Sequence, residues 1–416
     1  MSGPTSAPSP HIASVASVPR QGGPSGVDYC PLMPTFGAPN VTFVRGSGTE
    51  LWDADGNRYL DFLCGLAVTS LGHANAEISE AISEQASTLL HVSNLFATVP
   101  GPQVAMTIDR LLGGGGQVFF ANSGAEANEC AIKVARKWAG YGRHHVISAF
   151  GSFHGRTLAT LHMTGQPAKH EAFQPLPEGF RHAVWADVAD IERMIDPTTA
   201  AVMLEPVQGE GGVVPAPHGY FADVQRLCRE RGLLFMVDEI QTGFGRTGKW
   251  FGFEHFLDAD SRPDVITLAK ALGNGMPIGA CWATRDVAAA FKPGDHGSTY
   301  SGQPLAASAA RKVLEIMERE DIPAQARRSG DLLRNALAVL PGVAEARGIG
   351  MLLAIELEGS IASAVQVRLL QLGLVTNAVT ASAIRLAPPL NVTDTHLHEG
   401  IALFARGLAE IRSELS

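Results

Sequence analysis

The sequence predicts an α/β protein built on a mainly parallel sheet with helices on both faces, and three observations predict it. From about residue 117 to 284, short apolar runs alternate with stretches of helical period. The runs are apolar throughout rather than alternating, as in Leu233 to Val237, which suits strands covered on both faces. The runs also stop abruptly at polar or charged residues, Glu205 and Asp238 among them. In open α/β sheets, ligands bind in the crevice outside those strand ends.

Size and composition bound the rest. A chain of 416 residues is too long for one small core. With 45% apolar and 18% charged residues it reads as an ordinary soluble globular protein. A net charge of −9 and the lack of a basic stripe argue against nucleic acid as a partner. The 5 cysteines are scattered without CxxC pairs, which suits a reducing compartment. No apolar run approaches the roughly 20 residues of a membrane span, and no charged segment leads into an apolar one at the start. A cytoplasmic location with no membrane partner is the expectation.

Taken in order, residues 1–28 are rich in Ser, Pro and Gly and read as a disordered leader. Alternation from Val41 to Phe62, with a turn at Asp53-Ala-Asp-Gly56, predicts a small antiparallel meander. That turn lacks the later ligands of a calcium loop. A helix is predicted from Ala76 to about His91. Gly113 to Gly116 precede a strand and lack the following GK[ST], so they read as a connection and not a phosphate loop.

Val118 to Ala121 reads as a strand, followed by a helix that opens at Ser123-Gly124-Ala125-Glu126 with capping-box spacing. Such a start leaves free N–H groups that can bind phosphate, although it is also an ordinary cap. The next strand, His145 to Ala149, ends at Phe153-His154-Gly155-Arg156, where an aromatic ring and an arginine could hold a planar ligand bearing a carboxylate. A third strand ends at Glu205 and enters a glycine-flanked segment containing Glu210. The strand ending at Asp238 is followed by a short apolar run to Lys270. A lysine in such small, apolar company is a Schiff-base candidate. Alone, the pair also fits a turn-capping aspartate and a lysine that reaches solvent. The C-terminal third, with a helix from about Pro304 to Glu320 and strands near 351–355 and 384–389, looks α+β.

The strings NSGAEANE, FHGRT, EPVQGEGGV, VDEIQTGFGRTG, LAKALGNGMPIGA, HGSTYSG and IRLAPPL occur in that order. With them the chain resembles the class III pyridoxal-phosphate aminotransferases of fold type I, from about residue 30 to the end. Within that class, HVSNLF and TGQPAK make it most similar to the acetylornithine aminotransferases of arginine biosynthesis. The resemblance implies a large sheet domain over 76–303 and a smaller α+β domain from 29–75 and 304–416.

It also implies pyridoxal 5'-phosphate as cofactor. Lys270 would hold it covalently and move protons, and Asp238 would face the pyridine nitrogen. Gln241 would lie near the phenolic oxygen, Phe153 against the ring, and Ser123, Gly124 and Ala125 around the phosphate. Thr299 would reach the phosphate of a partner subunit, which implies a homodimer with shared sites. Arg156 would take the donor's α-carboxylate, Ser298 would lie near substrate, and Glu210 would gate Arg385, the arginine for the second carboxylate of glutamate. No metal is implied.

The implied reaction moves the δ-amino group of N2-acetyl-L-ornithine to 2-oxoglutarate, giving N-acetylglutamate 5-semialdehyde and glutamate. Another ω-aminotransferase (for ornithine, succinylornithine, 4-aminobutyrate or a diamine), or an aminomutase or decarboxylase on the same fold, is the alternative. Ala125 stands where many relatives have Thr, Thr69 where Asn is common, and Ala76 where Pro is usual. Gly65 replaces a Tyr of ornithine aminotransferases, leaving room for an N-acyl group.

Overall fold

The computed structural model describes residues 33, 35, 36 and 39–415, so the segment expected to be a leader lies outside the described residues. The centre is a seven-stranded sheet in the order Gly116–Ala121, Gly279–Thr284, Val265–Leu268, Leu234–Asp238, Thr199–Leu204, His145–Ala149, Phe180–Ala183. Every neighbouring pair is parallel except the two made by Gly279–Thr284. The reason lies in the connection. A parallel crossover takes a dozen or more residues, and only 269–278 separate that strand from its predecessor. The α/β, mainly parallel expectation is met.

Leu234–Asp238 occupies the middle of the sheet, paired with Thr199–Leu204 on one side and Val265–Leu268 on the other. Phe235, Met236 and Val237 are fully buried, each side chain contributing on the order of 1.5–3 kcal/mol of burial. Asp238 follows directly at the carboxyl end and is therefore carried into the interior by its strand.

Two four-stranded sheets and one two-stranded pair, Val207–Gln208 with Val214–Pro215, complete the sheets of the described residues. Phe43–Ser47, Glu50–Asp53 and Arg58–Asp61 form the antiparallel meander, and Leu374–Val375 pairs in parallel with its last strand. Val343–Ile349, Leu352–Leu357, Ala383–Leu386 and Asn377–Ala378 form the other. Both chain ends thus contribute to one α+β portion. In the meander turn the Asp53 carboxylate accepts hydrogen bonds from Asp55 N, Asn57 N, Asn57 Nδ2 and Tyr59 Oη at 2.8–3.0 Å. Its oxygens close the turn, which explains the D-x-D-G pattern without a metal.

The first long helix, Ala76–Thr88, is capped by Asn75 Oδ1 on Ile78 N and stops three residues before the expected His91. Leu89 there turns extended, at φ −160° and ψ 111°. Arg246 joins the small sheets to the large one. Fully buried, it donates to the carbonyls of Met351 and Pro388 and to Ser70 Oγ. Burial lowers its pKa to about 10. Among the described residues no helix is long and apolar enough to cross a membrane.

Candidate active site

A cavity of about 380 Å³ opens at the carboxyl ends of the central strands. Its wall brings together residues far apart in sequence, including Ser123, Phe153, Arg156, Glu210, Asp238 and Lys270. Each arrives by a local cause.

Ser123 caps the Gly124–Ala139 helix, its Oγ accepting from Glu126 N at 3.2 Å. Glu126 reaches back to Asn122 rather than to the cap, accepting from Asn122 N at 2.7 Å and Nδ2 at 2.8 Å. The helix start therefore points its remaining N–H groups into the cavity, the arrangement that binds phosphate. Gly124 is required by packing, because a Cβ there would come within 2.8 Å of the Ile240 side chain. Ala125 lines the same corner. Asn122 Nδ2 also donates to Ser298 Oγ at 3.0 Å, which places Ser298 beside the cup. Thr299 is exposed and is not part of this wall.

Asp238 is 4% exposed. Its Oδ2 accepts from Asn128 Nδ2 at 2.8 Å and lies 2.8 Å from His154 Nδ1, while Oδ1 accepts from Ile240 N at 3.0 Å. Its orientation is thus fixed from three sides. Asn128 is held in turn, its Nδ2 also donating to His154 O at 2.7 Å. Neither supporting residue was singled out from sequence. Both sit inside the quoted strings, and the signal for Asn128 was its place one turn after Gly124 on the buried helix face.

Lys270 follows a buried strand and stands at φ 45°, the left-handed region that a residue with a side chain enters at a cost of order 1–3 kcal/mol. Burial lowers its pKa to about 8, helped by Arg385 and opposed by Glu210, Asp238 and Glu205. Glu205, at the end of Thr199–Leu204, accepts from Phe153 N at 3.1 Å. Burial first, and Asp238 second, push its carboxyl well above the usual range. This second acid beside Asp238 also went unassigned in the sequence.

Arg385, on the Ala383–Leu386 strand, is 2% exposed. Its Nη1 pairs with Glu210 Oε1 at 2.5 Å, and Nη2 donates to Asn377 Oδ1 at 2.8 Å. Burial pushes Glu210 upward, but Arg385, with Lys270 and Lys169, outweighs it and holds the carboxyl below its ordinary value. Arg156, also on the cavity wall, is exposed, its guanidinium carbon 5.7 Å from the centre of the Phe153 ring. Gln241 is buried, and its Oε1 has no hydrogen-bond partner. Val68 lines the cavity, whereas Thr69 faces a separate space near Gly275. Among the described residues no group of three His, Cys, Asp or Glu side chains is placed to hold a metal ion.

The arrangement offers an anion cup, an aromatic face, an oriented acid, a lysine with a lowered pKa, an exposed arginine, Arg156, on the wall, and a buried one, Arg385, held behind Glu210. That set fits a planar, phosphate-bearing ring with an acid-tailed substrate beside it. Gln241 adds a buried amide to the wall, its Oε1 without a partner.

Comparison with known proteins agrees with this geometry. The aminotransferase class-III family matches residues 35–408. An acetylornithine aminotransferase of Corynebacterium efficiens is 45% identical, covering 92% of this chain and 96% of that protein. One from Caldanaerobacter subterraneus is 43% identical, covering 92% and 98%. Among solved structures, an ornithine aminotransferase from Toxoplasma gondii, described with PLP at partial occupancy in its active site, has a TM-score of 0.87. It is 32% identical, covering 92% of this chain and 93% of that one. On this evidence the chain belongs to the class-III aminotransferase family and is an aminotransferase of the fold-type-I α/β architecture.

Proposed function

We propose that this aminotransferase moves the δ-amino group of N2-acetyl-L-ornithine to 2-oxoglutarate, using pyridoxal 5'-phosphate held in the cavity described above. The observation that carries the reading is the buried Arg385 with Glu210 as its only carboxylate partner among the described residues, in a cavity whose wall holds both Glu210 and Arg156. A pocket that alternates between a substrate with one acid and one with two must neutralise the second arginine when the second acid is missing. An unpaired buried charge is costly, and a carboxylate able to swing away removes that cost.

When bound, pyridoxal phosphate supplies an electron sink for the carbon that loses its proton. The chain's own residues do the rest. Ser123, Gly124 and Ala125, at the helix start, would hold the phosphate. Phe153 and Gln241 line the same cavity, where Phe153 would offer its ring to the cofactor's ring and Gln241 would lie near the phenolic oxygen. Asp238, held by Asn128 and His154, keeps a proton on the pyridine nitrogen. Lys270, whose pKa burial lowers to about 8, is the residue that would hold the cofactor and, once freed, would move the proton at the donor's reacting carbon. Arg156 takes the carboxylate remote from the reacting amine, and Ser298 borders the substrate.

We read the active form as a cytoplasmic homodimer with Thr299 reaching the partner's phosphate. In support, Asn94 Nδ2 donates to Ser301 O at 3.0 Å, tying the loop of Leu95 (86% exposed) and Phe96 (69% exposed) to the loop of Thr299 and Tyr300. Large apolar side chains left outside at that point suit burial by a second copy. The four cysteines at 64, 130, 228 and 281 are free and buried, which suits a reducing compartment.

The test is to mix the cofactor-loaded protein separately with acetylornithine, ornithine, 4-aminobutyrate and glutamate, and follow the cofactor's absorption. Acetylornithine and glutamate should each convert it rapidly. Silence with acetylornithine alongside a response to glutamate would end the substrate assignment. In the same assay, Arg385→Ala should raise the glutamate KM on the order of 10²-fold while sparing the acetylornithine half-reaction. An equal loss in both halves would contradict the gate.

A further inference from the structure

The Phe153 ring carries two cations. Arg156 stands 5.7 Å and Lys169 Nζ 5.2 Å from its centre. Neither makes an ion pair with any carboxylate among the described residues, in contrast to Arg385, which pairs with Glu210. Lys169 is half-buried and Arg156 exposed.

The lysine is not loosely placed. Its Nζ donates to Gln166 Oε1, a neutral acceptor, and Gln166 Nε2 donates to Ser152 O at 2.9 Å. Gly165 N bonds Ser152 Oγ at 3.0 Å, and His154 N bonds Thr164 Oγ1 at 2.9 Å. The 164–170 segment is therefore stapled to the loop that presents Phe153 and Arg156. Two like charges held over one ring repel each other, and partial burial strengthens the repulsion. Consistent with this, burial, then Arg156, lower the Lys169 pKa, with Glu210 opposing. An arriving carboxylate relieves the repulsion and receives hydrogen bonds from both cations.

We propose that Lys169 is a second carboxylate-recognition residue, closing with Arg156 on the acid remote from the reacting amine in donor and acceptor alike. This rests on the functional reading above, in which Arg156 takes that acid. Lys169 acts on binding and moves no proton, so its effect falls on KM and not on kcat.

The experiment compares steady-state KM and kcat for acetylornithine and 2-oxoglutarate in the loaded holoenzyme, for wild type, Lys169→Gln, Lys169→Arg and Arg156→Ala. Lys169→Gln should raise both KM values roughly tenfold with kcat nearly unchanged, and Lys169→Arg should restore most of the loss. Unchanged KM in Lys169→Gln, or a fall in kcat alone, overturns the proposal. So does Lys169→Arg behaving like Lys169→Gln, which would mark a purely structural role. If Arg156→Ala raises KM and Lys169→Gln does not, only the lysine assignment fails. If neither raises KM, the carboxylate reading of this wall fails with it.

Discussion

Lys270→Ala should lose on the order of 10⁴-fold in kcat, the upper range for removing a positioned proton carrier. The same substitution should abolish covalent capture of the cofactor. Borohydride reduction of the loaded wild type, followed by peptide mass analysis, should find the cofactor on Lys270, and the variant should carry none. A variant that still retains reducible cofactor at full occupancy would refute the lysine's assignment.

The lowered pKa adds a pH signature. A lysine at the ordinary 10.5 would become a progressively better nucleophile up to and beyond pH 9, whereas one at about 8 saturates earlier. Only the neutral amine attacks, so the capture rate should climb roughly tenfold per pH unit below the pKa and level above it. Stopped-flow loading of the cofactor-free protein between pH 6 and 9.5 reads this directly. A rate still rising tenfold per unit at pH 9.5 would show that burial does not tune this lysine.

The second large effect belongs to Asp238. Asp238→Asn should reduce kcat on the order of 10²–10³-fold in both half-reactions, as when one oriented electrostatic group is removed from a reacting centre. An amide cannot hold a proton on the ring nitrogen through its charge. It would also misalign the donors now aimed at Oδ2, Asn128 Nδ2 and the nearby His154 Nδ1. The loss should appear in single-turnover rates at matched cofactor occupancy, separating chemistry from binding. Rates within tenfold of wild type at full occupancy would refute the role. Because Glu205 lies beside Asp238 with its carboxyl pushed upward, the variant also tests whether the second acid can substitute.

Much of this was legible without coordinates where one local rule governed the outcome. An unbroken apolar run such as Leu234 to Val237 reads as a strand covered on both faces, and its carboxyl end delivers Asp238 to the crevice where ligands bind. Ser123 and Glu126 marked a helix start by spacing alone, although Glu126 turned out to bond Asn122 rather than the cap. The reach of the first long helix was overestimated, because periodicity continues past Thr88 where the backbone does not.

The sequence by itself determined the fold class, the strand that carries Asp238, the capped helix start and the order of the motifs. These depend on the hydrophobic period and on hydrogen bonds a few residues apart. Tertiary structure alone decided that Asn128 and His154 orient Asp238, that Glu205 lies beside it, and that Lys169 shares a ring with Arg156. Those contacts join side chains brought together by the sheet order, across separations over which no sequence period persists. Their pKa shifts arise from burial and neighbouring charge, and both exist only once the chain has closed around the cavity.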